Sequence, residues 1–397
     1  MGSGGIFYVG MRLPFLVGAV LVASATDALA ADWSAHYQFS QGVEANSNRA
    51  LSPKPTGETY EFVTRLMFDT VAKLPTLRFE AYGDVSYRDL AGPGRPDSTA
   101  PMDNGLGFKV EKLDKLTKYF WAGSWRRQDA TSAQAEDTGL VFVRGDINTY
   151  VMEGGFSQPL SPRDSMLWSV RGTSVDFTSV TGDPYVDIKT TGTWVRRLNP
   201  TTQMNSSVQL EWVARDDLAN SESMIARAMT GLEYQVTKRL TAKGSIGVGY
   251  VNSTRDGNLL VPTVSESTAG WLADLLLTYR PFHATTLSFF ATQSMAPNVV
   301  GQIDKRTSVG LSLRHVINPS SELLFSGDFS HQELLYSTLT HPSSADLFKA
   351  TVTYGYRLSP EWQTRLSYRF ARREDDVDSA HSNSVFLSLV RDVTILP

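Results

Sequence analysis

The chain has 397 residues, 41% of them hydrophobic, and a formal net charge of -4. It contains no cysteine, which excludes a disulfide framework and thiol chemistry. A slightly acidic chain carries no basic footprint for phosphate, so nucleic acid is not expected as a partner.

The first predicted element is a signal peptide over residues 1–30. Arg12 supplies a positive start, the stretch from Leu13 to Ala25 is mostly apolar, and Ala28-Leu29-Ala30 fits a small-x-small cleavage site. Met11 opens this segment better than Met1 does. The apolar run is too short to span a bilayer as a helix, which takes roughly 20 residues. Beyond Ala30 no apolar run reaches the length of about 18 residues that a membrane helix requires.

Residues 31–397 read as one domain made of strands. Leu77, Phe79, Ala81, Val85 and Tyr87 alternate with Arg78, Glu80, Asp84, Ser86 and Arg88. Met204, Val208, Leu210 and Trp212 alternate with Gln203, Asn205, Ser207, Gln209 and Glu211. Trp271, Ala273, Leu275, Leu277 and Tyr279 alternate with Leu272, Asp274, Leu276, Thr278 and Arg280. Phe348 to Arg357 and Trp362 to Phe370 repeat the pattern. A period of two puts alternate residues on opposite faces, one wholly apolar and one mixed. Each run is about ten residues long, the length of a tilted transmembrane strand, and aromatics gather near the ends of the apolar face as an interfacial girdle requires. Asp274 is then expected to point into a barrel and Leu275 into lipid, with Leu272 and Leu276 left awkwardly on the inner face.

The connections alternate in length. Short polar turns fall at residues 73–75, 114–117, 160–164, 198–201, 236–239, 280–284, 317–321 and 358–361. Longer loops lie between them, for example at 90–103, 252–266, 331–346 and 372–382, and residues 141–145 belong to another. Eight short turns and nine longer loops make seventeen connections and eighteen strands, the first at about 33–43 and the last at about 384–391. Sixteen strands is the alternative count. The fold class is therefore all-β: a transmembrane antiparallel up-and-down barrel with short periplasmic turns and long external loops.

In such a barrel the mixed face lines the lumen. The residues assigned to it are Arg65, Arg78, Glu80, Asp84, Lys109, Arg126, Arg171, Lys189, Glu211, Arg227, Lys243, Asp274, Arg314, Lys349, Arg357, Arg365 and Arg369. Two roles are open to them. They pair across neighbouring strands and keep the wall rigid, or they form a mildly basic channel that favours anionic solutes or an anionic polymer. Tyr82 and Phe120 fall on the same inward register, either as stacking surfaces for sugar rings or as packing.

No enzymatic constellation stands out. The histidines are His36, His283, His315, His331, His341 and His381, and none has metal-ligand spacing. His381, Ser382 and Asn383 are adjacent, so their side chains diverge, and no Gly-x-Ser-x-Gly elbow or phosphate-binding loop occurs. No cofactor, no metal and no enzymatic activity are expected.

The turns Leu160-Ser161-Pro162-Arg163, Leu198-Asn199-Pro200-Thr201, Ile317-Asn318-Pro319-Ser320 and Leu358-Ser359-Pro360-Glu361 share an apolar–Ser/Asn–Pro pattern, each ahead of a new strand. This rhythm resembles the outer-membrane β-barrel porin family of Gram-negative bacteria, over residues 33–391. The resemblance implies a place in the bacterial outer membrane and a component of exopolysaccharide export, working with a periplasmic export partner. A general or solute-selective diffusion porin is the first alternative, and it requires an inward-folded loop that narrows the lumen. An outer-membrane enzyme or an adhesion barrel is the second. One departure is the C-terminus, "VRDVTILP", which lacks the terminal aromatic that barrels commonly carry.

Overall fold

In a computed structural model of the chain the described residues are 32–94, 102–141, 143–178, 182–216, 220–255, 264–335 and 344–395. The expected signal peptide lies outside them, as do the centres of several external loops. Eighteen strands follow one another, with a single short helix among the described residues. They are β1 (Asp32–Asn46), β2 (Thr59–Lys73), β3 (Leu77–Ala91), β4 (Met102–Asp114) and β5 (Thr117–Asp129), then helix α1 (Ala130–Asp137). Next come β6 (Asp146–Pro159), β7 (Asp164–Phe177), β8 (Tyr185–Asn199), β9 (Thr202–Arg215), β10 (Ser221–Thr237), β11 (Leu240–Arg255) and β12 (Val264–Phe282). The last six are β13 (Thr285–Pro297), β14 (Ile303–Asn318), β15 (Ser321–Leu334), β16 (Ser344–Arg357), β17 (Trp362–Asp375) and β18 (Ser379–Ile395).

Each strand pairs antiparallel with its sequence neighbours, and β1 also pairs with β18. The sheet therefore closes on itself and leaves no edge, the only way a sheet satisfies its backbone in hydrocarbon. Eighteen strands replace the alternative of sixteen. The seam joins Phe39 to Arg391 and Val43 to Leu387, so the last strand runs on to Ile395, further than the expected end near residue 391. The connection after β17 differs more. A long loop was expected at 372–382, but β17 and β18 extend through it, and only residues 376–378 turn the chain. There Asp375 Oδ1 accepts hydrogen bonds from the backbone N–H of Val377 and Asp378, an Asx-type turn that its polar composition disguised as a loop.

The register fixes the two faces. Leu275 pairs with Gly244 and Ala291, and Asp274 with Ser245 and Thr292. Leu275 thus lies on the outer wall with Trp271 and Tyr279, while Asp274 lies on the inner wall, the expected arrangement. Exposed aromatics on the outer wall form two girdles. Tyr87, Tyr150, Trp212, Tyr250 and Trp271 sit toward the loop end, and Tyr119, Trp168, Tyr234, Tyr279 and Tyr356 toward the turn end. Apolar side chains such as Leu66, Leu106, Val208, Ile246 and Leu366 fill the band between them. An exposed apolar belt between two aromatic girdles is the surface that lipid solvates.

The buried core lies inside the barrel. From β6 to β12 the strands contribute an inward apolar residue near the loop end, among them Ile147, Val175, Val213, Ile225, Val251 and Leu272. Ala130, Val143 and Val300 from inserted segments and Ile303 from the start of β14 pack on this arc. Leu272 is only 2% exposed, which resolves its awkward inward position: it is covered by protein rather than by lumen water.

Candidate functional site

The inner wall and the segments that fold into it make the candidate site. The chain between β5 and β6 was read as part of an external loop, but it turns into the lumen. Its local sequence explains why it does so as a helix. Asp129 has extended backbone angles, and its Oδ2 accepts from the Ser132 N–H at 3.0 Å and from the Ser132 hydroxyl at 2.7 Å, a standard N-cap. Ala130, Ala133 and Ala135 follow with high helix propensity. Gly139 then takes a left-handed φ of 73°, and its N–H bonds Gln134 O, ending the helix. The buried Gln134 side chain ties the helix to its return path. It donates to Val143 O at 2.7 Å and accepts from Val143 N–H at 3.0 Å.

Contacts to distant strands show that this segment crosses the lumen. It starts at β5, where Arg49 from the β1–β2 connection donates to the Ser132 hydroxyl at 3.0 Å. At the other end Asp137 accepts from Arg306 of β14 at 2.8 Å and from the Val299 N–H at 2.9 Å. Gln332 of β15 donates to Asp137 O at 3.3 Å, and Arg373 of β17 to Gly139 O at 3.3 Å. Glu136 accepts from Arg369 of β17 at 3.1 Å, and its carbonyl accepts from Lys349 of β16 at 3.1 Å.

A second insertion narrows the same region. Beyond Gln293, β13 parts from β12, and Met295 leans inward to become almost fully buried among the apolar arc. Arg227 of β10 holds Met295 O through Nε at 2.9 Å and grips Glu211 of β9 at 2.5 Å. Residues 298–302 form a turn in which the Asn298 carboxamide accepts from the Val300 and Gln302 N–H groups, both at 3.1 Å.

The residues assigned from the sequence to the inner wall separate into three groups. Toward the turn end most are paired: Arg65 with Asp84 at 3.0 Å, Arg78 with Glu80 at 3.4 Å, Lys109 with Glu111 at 2.9 Å, Lys243 with Glu233 at 2.9 Å, and Arg314 with Glu322 at 3.0 Å. Arg365 donates to Gln363 at 3.0 Å, and Arg357 faces Gln363 across the β16–β17 ladder. Arg227 and Glu211 form the second group with the β13 insertion, and Lys349 and Arg369 with α1. Lys349 also lies 3.6 Å from Asp328.

The third group makes no ion pair among the described residues: Arg126, Arg171, Lys189 and Asp274. Arg171 and Lys189 are direct cross-strand partners on the inner face. Glu153 neighbours Arg171 and Glu211 neighbours Lys189 in the same row, but Glu211 is drawn to Arg227 instead. Like charges directly opposite each other destabilise a sheet, so Arg171 and Lys189 repel across the ladder, with Glu153 and Glu211 flanking them in the row and Asp187 two residues from Lys189.

Tyr82 and Phe120 point inward, but each lies against a glycine on the adjacent strand, Gly107 and Gly155 respectively, where any larger side chain would collide with the ring. Packing of the wall accounts for them better than a sugar-stacking role. His381 pairs its backbone with Arg372 on β17, and no group of acids and histidines among the described residues could hold a metal.

Sequence reading missed Arg49, Glu136, Asp137, Arg306 and Arg373. The run from Asp129 to Gly139 carries a helix signal that marks it as more than a loop, though nothing local says it folds inward. The lumen crossing also bears on the expected polymer export. A chain-like substrate needs an unobstructed bore, and here a helix, its return path and a second insertion occupy it.

The closed eighteen-stranded antiparallel barrel is similar in fold to solved outer-membrane porins. Among solved structures, OpdK of Pseudomonas aeruginosa with vanillate aligns over 92% of this chain and 99% of its own, at 10% identity and a TM-score of 0.52. A BenF-like porin from Pseudomonas fluorescens Pf-5 aligns over the same shares at 12% identity and a TM-score of 0.54. OccK9 (OpdG) of Pseudomonas aeruginosa gives 11% identity and a TM-score of 0.52. Similarity at this identity is similarity of fold. No protein-family profile matches the chain, and no curated protein matches it in sequence.

Proposed function

We propose that this protein is a diffusion channel of the bacterial outer membrane, selective for small anionic solutes. The apolar outer belt and closed sheet suit the membrane, and the lumen crossed by α1 suits a small solute rather than a polymer. The observation that carries the anionic preference is the Arg171–Lys189 pair. Two cations stand side by side on the inner wall without an ion pair, and Arg126, also without one, lines the wall two strands away. An anion placed between them relieves their repulsion, whereas a cation adds to it. OpdK was crystallised with vanillate, an aromatic carboxylate, and a solute of that class fits such a wall. No export partner is required by this reading, and no catalytic group.

The test is ion selectivity in planar bilayers. Neutralising Arg171→Gln and Lys189→Gln together is expected to lower the chloride-to-potassium permeability ratio severalfold, with the barrel intact. An unchanged ratio in the double variant would remove the assigned cause of selectivity.

A further inference from the structure

The last turn of α1 is electrostatically ill-placed. Glu136 and Asp137 occupy the negative end of the helix, and that turn contains no basic residue. Both carboxylates are answered from the far wall, but in different ways. Asp137 is enclosed: Arg306 and the Val299 N–H hold its two oxygens, and Gln332 holds its carbonyl. Glu136 is not. Its side chain is 66% exposed and that of its partner Arg369 is 51% exposed, whereas Arg227 and Glu211 are 10% and 3% exposed. The segment is therefore anchored through Asp137 and Gly139, and the Glu136 carboxylate can leave Arg369 without releasing it.

An exposed ion pair contributes about 0.2–1 kcal/mol, so another anion reaching Arg369 competes on nearly equal terms. Lys349 stands beside this position, donating to the Glu136 carbonyl at 3.1 Å and lying 3.6 Å from Asp328. We propose that Arg369, flanked by Lys349, is an anion subsite of the lumen, and that Glu136 is its tethered occupant. A carboxylate solute passes the constriction by exchanging with Glu136, which makes Glu136 a specificity-determining residue acting through competition. This inference rests on the anionic-channel reading given above and names the step at which the solute is selected.

The test uses the full chain in planar bilayers, with benzoate as the probe and the half-blocking concentration of chloride current as the readout. Glu136→Gln keeps the backbone contact to Lys349 and removes only the competitor. It is expected to lower the half-blocking concentration about two- to fivefold, the size of an exposed pair. Arg369→Gln removes the subsite and should raise it by a similar factor. Heat-dependent migration on a denaturing gel checks that each barrel is folded. In an anion-selective channel, a half-blocking concentration unchanged or raised by Glu136→Gln overturns the proposal, as does one unchanged by Arg369→Gln. A wild-type channel that prefers potassium to chloride overturns the anionic-channel reading itself, and is recognised before any variant is compared.

Discussion

Neighbouring residues on one strand meet different solvents, and β12 shows the contrast within a single step. Leu275 lies midway between the girdle residues Trp271 and Tyr279 on the outer wall, and Asp274 faces the lumen. A lysine at the bilayer midplane costs about 2–4 kcal/mol, whereas a lysine in a wet lumen costs little. Leu275→Lys should therefore destabilise the barrel by roughly that amount in urea unfolding from lipid vesicles, while Asp274→Lys should stay within about 0.5 kcal/mol of wild type. Equal losses at the two positions would contradict the register. At this scale the sequence was informative, because a period of two and an apolar face are local properties. Leu272 was the residue that local pattern could not place. Its cover comes from Met295 and the rest of the inserted core, which approach from a different strand.

At the scale of elements, the strands and turns were legible and the inserted segment was not. Strand ends moved by a few residues, and one polar stretch taken for a loop proved to be strand with an Asx turn. The segment from Asp129 to Gly139 announces a helix through its cap, its alanines and its terminal glycine. Its direction is set by Arg306, Lys349, Arg369 and Arg373, which lie far along the chain and act only once the barrel has closed. Local sequence cannot state such a preference. The element also has a measurable consequence. Replacing residues 131–143 with a short Gly-Ser linker leaves all eighteen strand pairings intact, so the barrel should still fold. Its single-channel conductance should rise severalfold, because the lumen crossing is gone. A conductance equal to wild type would show that α1 does not limit the bore.

At the scale of the whole molecule, the outside belongs to lipid and the inside to water and charge. The overall balance of -4 hides that division, since Arg171 and Lys189 stand together on the inner wall although acids outnumber bases in the chain. Selectivity from fixed charges is screened by salt, with a Debye length of about 10 Å at 0.1 M and about 3 Å at 1 M. Anion preference should therefore weaken as ionic strength rises. The proposed anion selectivity of the barrel is read from the zero-current potential of the wild-type protein under a potassium chloride gradient. An anion-selective barrel gives a potential of the sign set by chloride, growing as the solutions on both sides are diluted. A potential of the potassium sign, or a folded barrel that conducts no current at all, would contradict it.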